Sequence, residues 1–476
     1  MLGTLIRKEF LNSVFSFRFI VIFALLLVVV PVTLFILTGD YVKKVDEFSF
    51  RRAAMEDYLR NFAHFNRLGG VVQPSMPPLP AQVLVRGISS GVHLEDFDDD
   101  PLPVMFPLID LVFVVAIFLS LASLILSYDA VSGEKEDGTL KLMLANGLPR
   151  HRILLGKVIG GTATLLVPFL VSLLIGLIGI LAHPRVAWSG ADGGALGLLV
   201  LGAAAYIAFF HVLGVFISSR HASSSASIVT SLSVWVLLVL IVPNLSPFLA
   251  SRLSPAPSRI KMSREISRLT DVERDALGNK LQQERMAALI KAYPVLAQLQ
   301  LTEAETKARA EKDPAFRAAI EARRREVSAA WDEANRIQGA KAEALEADEK
   351  RKEEAQTRLA RALSMVSPLS DFAYWAADLT STGLLNRESF DRQSEAWYRI
   401  YRDYSRAKIE ALQKQDPATD WWNTAVDVSD MPRFQYREES LGVRFKAGLG
   451  PLAVLLAMAV AAFGAAYVSF IRTDPR

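Results

Sequence analysis

Acidic, basic and hydroxyl side chains are abundant in this 476-residue chain, but their spacing matches no nucleotide-binding pattern. A phosphate-binding loop needs G-x-x-x-x-G-K-[ST], in which backbone N–H groups surround the phosphates and the hydroxyl ligates magnesium. The nearest match ends at Gly156-Lys157-Val158, with Val158 in place of the hydroxyl residue and His151 in place of the first glycine. The sequence therefore predicts that this chain has no nucleotide site of its own.

Other catalytic and metal-binding patterns are also missing. The chain contains neither H-E-x-x-H nor G-x-S-x-G, and its six histidines are scattered. It has no cysteine, which excludes a disulfide, a thiol nucleophile and a thiolate metal site. Acidic and basic residues are intermixed and the net charge is only +3, so we expect no nucleic-acid partner. We predict no catalytic residue, no metal site and no cofactor bound by this chain.

Two ionisable residues, Asp110 and His211, lie within long apolar runs. Ionisable side chains inside a membrane are usually buried, paired or functional. Asp110 is near the outer end of its run, which favours a hydrogen-bonded role at the interface over substrate binding. For His211, hydrogen-bonded packing is favoured over a role as a proton or ligand site.

Hydrophobic residues make up 51% of the chain and charged residues 22%, and the two kinds are segregated. An apolar run of about twenty residues is long enough to cross the hydrocarbon core as a helix. We therefore predict an all-α polytopic membrane protein with six transmembrane helices. The first run lacks a small-residue cleavage pattern, so we interpret it as a retained span. The predicted spans are 19–38, 105–127, 158–182, 195–217, 228–249 and 447–470.

Basic residues near short loops predict the orientation of the spans. They concentrate at both termini and in the segment 128–157, whereas the short loop between the third and fourth spans has Arg185 alone. This asymmetry predicts that both termini and 128–157 are cytoplasmic. It places two inserts, 39–104 and 250–446, outside the cytoplasm. The absence of cysteine and the Gly/Ala-rich fourth span favour a bacterial inner membrane.

The larger insert, 250–446, is predicted to be mainly helical. Ser258–Tyr293 is charged and amphipathic, and a second helix begins near Pro314 and extends to about Val366, with Gly339 as a candidate break. Such a helix of about 50 residues would be about 75 Å long. Aromatic residues that follow it either pack these helices together, which is favoured, or bind a lipid-like or glycan ligand. They include Phe372, Tyr374, Trp375, Phe390, Trp397, Tyr398, Tyr401, Tyr404, Trp421 and Trp422.

Two short segments beside the spans are predicted to be amphipathic. Residues 1–18 place Phe10 near an apolar face and Arg7 and Lys8 elsewhere, which is typical of a membrane-surface helix. The alternative is a basic flank that only orients the first span. The segment 128–157 has a polar turn, then Thr139 and apolar residues interleaved with Lys141, and then a break at Gly147-Leu148-Pro149.

The sequence of this second segment, SGEKEDGTLKLMLANGLPRHRILLGK, resembles the first intracellular loop of ABC-2 type transporter permeases. The resemblance implies a coupling helix that sits in a cleft of a separate ATP-binding ABC subunit, which holds ATP and magnesium. It also implies a second permease, identical or related, as a partner. The residues expected to couple to the ATPase are Gly133, Glu134, Lys135, Glu136, Gly138, Thr139, Leu140 and Arg150, with Glu134, Glu136, Thr139 and Leu140 as the direct contacts.

The sequence thus predicts a membrane-spanning permease subunit of an ATP-driven exporter, without catalysis of its own and in contact with membrane lipid. The unusual size of the insert 250–446 supports an alternative, a non-transporting mechanical device that acts on an extracytoplasmic partner. A receptor or scaffold without an ATPase is a third interpretation, which the loop motif disfavours.

Overall fold

The computed structural model describes residues 2–61, 63, 64, 68, 72–87, 109–145, 149–298, 303–415 and 424–472. Over these residues the chain is helical and contains no strand beyond an isolated bridge between His64 and Ala425. The predicted all-α class is confirmed. Part of the predicted insert 39–104, the turn at Gly147-Leu148 and the aromatic pair Trp421-Trp422 lie outside the described residues.

Fourteen helices are named here in chain order. The N-terminal part contains α1 (Leu2–Val14), α2 (Phe17–Asn61), α3 (Leu111–Phe113, Val114–Leu119 and Ser120–Ser127), α4 (Ser132–Glu136), α5 (Thr139–Ala145), α6 (Arg150–Leu181) and α7 (Gly190–Arg220). The rest contains α8 (Ser224–Trp235, Val236–Ile241 and Val242–Leu253), α9 (Arg259–Ser267, Arg268–Glu273 and Arg274–Ala292), α10 (Glu303–Lys312), α11 (Pro314–Ser364), α12 (Pro368–Leu379), α13 (Leu384–Gln415) and α14 (Leu441–Arg472).

Within the described part of the chain, six helices are long and apolar enough to cross a membrane, as the sequence predicted. They identify a multi-pass membrane protein. The chain divides into two compact units, one formed by Met1–Pro243 with Ser364–Arg476 and the other by Asn244–Leu363. The candidate spans are Phe17–Arg60, Leu111–Glu136, Arg150–Leu181, Gly190–Arg220, Ser224–Leu253 and Leu441–Arg472.

The first span belongs to a helix that extends far beyond its apolar part. The sequence predicted a span that ends at residue 38, before Gly39-Asp40, whereas α2 continues without interruption to Asn61. Two contacts explain the continuation. Asp40 pairs with Lys44 one turn later at 2.8 Å, and Tyr41 is buried in the core of the bundle.

Each of two spans contains one π-helical turn, and each turn provides a carbonyl to another helix. In α3, the oxygen of Ala116 accepts a hydrogen bond from Tyr206 Oη of α7 at 2.9 Å. In α8, the oxygen of Leu238 accepts one from Ser367 Oγ, just before α12. A π turn widens the helix and weakens its internal bonding, so it leaves a carbonyl available at membrane depth.

Helix α12 packs inside the membrane bundle, although the sequence placed it within the insert 250–446. Its Trp375 lies between Gly202 of α7 and Gly448 of α14, and Phe372 packs against Tyr206 at 5.2 Å between ring centroids. A β-carbon at Gly202 would lie 2.4 Å from Trp375 Nε1. Only the absence of side chains at these glycines allows the indole to enter.

Arg444 fixes the end of α12. The sequence predicted a last span that begins at residue 447, whereas α14 begins at Leu441. Arg444, in the first turn of α14, is only 2% exposed. Its guanidinium donates to the Leu379 carbonyl at 3.0 Å and pairs with Glu438 at 3.0 Å. A cation at the C-terminal carbonyls of a helix is favourable, which explains a buried charge at this position.

The second unit, Asn244–Leu363, is built on α9 and α11. Helix α11 is not broken at Gly339. Trp331 of α11 covers Gly278 of α9 and donates from Nε1 to Gln282 Oε1 at 3.0 Å. Arg285 of α9 also pairs with Glu333 of α11, so an apolar stripe and an ion pair join the two helices.

Candidate functional site at the loop after the second span

The loop between the second and third spans folds into two short helices at a sharp turn. Helix α4 ends at Glu136, and Gly138 has φ +70°, the left-handed conformation that glycine adopts without strain. The Gly138 N–H donates to the Lys135 carbonyl at 3.2 Å, and α5 starts at the next residue, Thr139. The Gly-Thr-Leu motif therefore encodes the angle between the two helices.

A buried lysine joins this loop to two other helices. Lys157 of α6 is 3% exposed, and its Nζ lies 2.7 Å from Glu134 Oε1 of α4 and 3.4 Å from Glu9 Oε1 of α1. A buried ammonium needs opposite charge and hydrogen bonds to offset the loss of water. The two carboxylates supply both, so Lys157 connects α1, α4 and α6.

Helix α1 lies directly on the backbone of α6. A β-carbon at Gly160 would be 2.9 Å from Glu9 Cβ, and one at Gly156 would be 3.0 Å from Leu5 Cβ. This small-x-x-x-small spacing allows close helix approach in membranes. Lys8 of α1 also reaches Met143 Sδ of α5 at 3.6 Å. Helix α1 is therefore a packed part of the loop site, with exposed Arg7 and Lys8 and a partly buried Phe10.

The neighbouring charges of α4 join the fourth and fifth spans. Lys135 Nζ donates to the carbonyls of Ser219 at 2.9 Å and His221 at 3.1 Å, at the C-terminal end of α7. Glu136 accepts from the Ser224 N–H at 2.9 Å and from its hydroxyl at 2.7 Å, at the first residue of α8. Each charge has the sign that the adjacent helix end favours.

Arginines complete the set of connections to the first and last spans. Arg18 of α2 pairs with Asp129 at 2.7 Å. Arg150, the first residue of α6, donates to the carbonyls of Phe470 at 2.9 Å and Ile471 at the end of α14. Side chains of the segment 128–150 therefore bind at the ends of the first, third, fourth, fifth and sixth spans.

One face of α5 is buried and the other is exposed. Leu140 is 1% exposed and packs in a cluster with Ile153, Val215 and Phe470. On the other face, Leu142 is 66% exposed, and Thr139, Lys141 and Ala145 are exposed beside it. We call this set the exposed face of α5.

Comparison with known proteins identifies the family of this chain. The family model for the ABC-2 family transporter proteins matches residues 4–475 of the chain. The chain belongs to this family. It also resembles the probable ABC transporter permease protein NosY of Pseudomonas aeruginosa, with 34% identity over 127 residues. That match covers 26% of this chain and 45% of the relative, so the chain matches less than half the length of that curated relative.

The coupling residues that were predicted for this ABC-2 permease are brought together. Leu140 is buried and Glu134 is partly buried, whereas Glu136 and Thr139 are exposed. Glu134 binds Lys157, Glu136 binds Ser224 and Leu140 is in the core. Of the four expected direct contacts, only Thr139 lies on the exposed face of α5. Sequence reasoning missed the roles of Glu9 and Lys157 in this permease. The local signal was that Lys157 is the last charged residue before a long apolar run.

The two polar residues predicted inside spans of the permease have different environments. Asp110 precedes α3 and caps it, accepting from the N–H groups of Phe113 at 2.8 Å and Arg86 at 3.2 Å. Burial raises the pKa of Asp110, and these two donors oppose that shift. His211 is 3% exposed and packs against Gly161, where a β-carbon would be 2.1 Å from its ring.

In the described ranges of the permease, no group of three or more acidic or histidine side chains could hold a metal ion. The expectation that the chain binds no cofactor of its own stays a prediction.

Proposed function

We propose that this permease subunit is the membrane-spanning part of an ATP-driven exporter and that a separate ATP-hydrolysing subunit docks on the exposed face of α5. The observation that supports this most is that the segment 128–150 binds at the ends of five spans. A force applied to this one loop reaches all of them.

The docking contacts are the residues of the exposed face of α5, which are Thr139, Lys141, Leu142 and Ala145. Leu142 is the central contact because an apolar side chain with 66% exposure gains most from burial against a partner. Glu134, Lys135, Glu136 and Arg150 transmit the motion within the permease. Helix α1 moves with the loop because Lys157 and the Gly156/Gly160 surface hold it there.

In this mechanism two permeases, identical or related, pair through their spans, and each docks one ATPase. ATP binding closes the ATPase pair and shifts the spans between inward and outward openings. This requires that the ATP state favours one conformation by a few kcal/mol. The proposed location is a cell membrane, with the loop and both termini cytoplasmic.

The test is Leu142→Asp, with Leu142→Met as the matched control. The charged variant should fold, because the side chain is exposed, but should lose ATPase binding and permease-stimulated ATP hydrolysis. The methionine variant preserves volume and polarity and should retain both. Stimulated hydrolysis that is equal in the two variants would contradict docking at this face.

A second candidate function is the mechanical device that acts outside the cytoplasm without transport. The continuity of α2 favours it, because one helix joins Arg18 at the loop end to residues far beyond the apolar span. A dimer structure distinguishes the two. Spans that enclose a continuous cavity would favour export, and spans that are packed shut in every nucleotide state would favour the device.

A further inference from the structure

A cavity of about 710 Å³ lies beyond the apolar part of the first span, at the end of α2 opposite to Arg18. One wall is a continuous face of α2 that extends from Lys44 to Glu56, with lining residues three or four positions apart. The facing walls are the proline-rich segment 72–78, Trp397 of α13 and the segment 433–436. All of these residues belong to the same compact unit.

The positive charges in this cavity are not all neutralised. Arg433 forms a two-pronged pair with Glu56, with Nε–Oε1 at 3.0 Å and Nη2–Oε2 at 3.1 Å. Lys44 forms an ion pair with Asp40. Arg51 and Arg52 are exposed and form no ion pair within the described part of the chain. The guanidinium groups of these two lining residues therefore remain available to an oxyanion, for which their planar donors are suited.

The rest of the lining combines apolar side chains with the polar residues Gln73, Ser75, Gln82 and Gln435. Trp397 is 6% exposed and stacks on Tyr401 at 5.2 Å, within a cluster that also holds Val72 and Phe434. Phe48 and Met55 add apolar surface on the α2 side. The prolines of the segment 72–78 restrict its backbone, so this wall needs little ordering when a ligand binds.

We propose that this cavity binds a small organic anion, in which a phosphate or carboxylate is attached to an apolar or ring-shaped group. Arg51 and Arg52 hold the anion and the surface around Trp397 holds the apolar part. The volume is in the range of small-molecule sites, about 300–1,000 Å³. Glu47 and Glu56 on the same wall disfavour a polyanion. Under the proposed topology the cavity faces the extracytoplasmic side.

The test uses the full chain in phosphatidylcholine nanodiscs and calorimetric titration with phenyl phosphate. Phenyl phosphate should bind, and phenol and inorganic phosphate should each bind at least about tenfold more weakly, because each lacks one half of the recognised group. Failure of phenyl phosphate to bind, or equal binding of inorganic phosphate, would overturn the proposal.

The variant is Arg51→Gln combined with Arg52→Gln, and the matched control is Arg399→Gln combined with Arg402→Gln, two exposed arginines of α13 that do not line the cavity. The first pair should weaken phenyl phosphate binding by about tenfold or more, and the control should leave it unchanged. Equal affinity in both would overturn the assignment.

The anion could belong to a soluble molecule or to a lipid head group. Nanodiscs that contain phosphatidylglycerol separate the two sources. Loss of phenyl phosphate binding in these nanodiscs upholds the site and assigns it to a lipid, and retained binding upholds it for a soluble ligand. ATPase stimulation is measured in parallel, because this site and the docking of the ATPase can fail independently.

Discussion

Lys157 shows how one side chain can hold three helices together. Its two carboxylate partners are each about one-fifth exposed, whereas the ammonium is almost completely buried. Neither partner can be inferred from local sequence, because Glu9 is 148 positions and Glu134 is 23 positions from Lys157. A pattern of charges identifies a polar segment, but only the packing of α1 on α6 selects the pair that forms.

We expect Lys157→Met to lower the free energy of unfolding by about 2–3 kcal/mol, because it leaves two partly buried carboxylates without their cation. The value is below that for fully buried pairs because Glu9 and Glu134 retain some water. Denaturant titration of the purified permease measures it. Replacing Glu9 and Glu134 by Gln in the same chain should recover part of the loss. Lys280→Met, at an exposed lysine of α9, is the control and should change little.

A second prediction at the residue scale concerns Gly138, in the turn between α4 and α5. Gly138→Ala should destabilise the permease by about 1 kcal/mol, since alanine is strained at φ +70°. Gly339→Ala is the matched control, because Gly339 lies within α11 with nothing within 4 Å of an added β-carbon. It should stabilise by about 0.5–1 kcal/mol. Destabilisation of equal size by both substitutions would show that the turn is not the cause.

At the scale of elements, α1 is attached to α6 through a surface without side chains. A leucine at Gly160 would collide with Glu9 Cβ and the Ile6 carbonyl, so Gly160→Leu should detach α1. Gly179→Leu is the control in the same helix, because nothing lies within 4 Å of a β-carbon there. The measurement is the rate at which a cysteine introduced at Ile6 reacts with a maleimide. It should rise only with Gly160→Leu, and an unchanged rate would contradict this packing.

The elements also show what the sequence could and could not reveal. Apolar runs of about twenty residues predicted six spans, because the thickness of the hydrocarbon core sets the length of a span. The end of α2 was missed because Gly39-Asp40 is a local break signal, which the Asp40–Lys44 pair and the burial of Tyr41 override. The place of α12 was missed because its two aspartates suggest a solvent-exposed helix. Its pocket is formed by glycines of α7 and α14, which are distant in sequence.

For the candidate site, the sequence predicted an amphipathic segment after the second span but not which of its side chains are buried. Gly138 could be interpreted as a turn, and the alternation of Thr139 to Leu142 as an amphipathic helix. Which side of that helix is buried depends on Ile153, Val215 and Phe470, which belong to three other helices. Leu140 and Leu142 are both leucines, and only the tertiary packing makes one a core residue and the other an exposed one.

At the scale of the whole molecule, the orientation in the membrane can be tested directly. The chain has no cysteine, so a single introduced cysteine is its only thiol. We expect Thr139→Cys, on the exposed face of α5, to react with a membrane-impermeant maleimide only from the cytoplasmic side. Ser49→Cys, on the exposed surface of α2 beyond its apolar part, should react only from the opposite side. Labelling of Thr139→Cys from outside intact cells would contradict the proposed coupling.

The unbroken helix α2 has one further mechanical consequence. Its 45 residues span about 67 Å at 1.5 Å per residue, which is about twice the thickness of the hydrocarbon core. Although Pro31 removes one of its internal hydrogen bonds, α2 is continuous, and a helix of that length that moves as one body acts as a lever. If its base beside Asp129 is held as a pivot, a tilt of about 5° sweeps the far tip through about 6 Å. A small rotation at one membrane surface would thus become a displacement larger than one helical turn beyond the other.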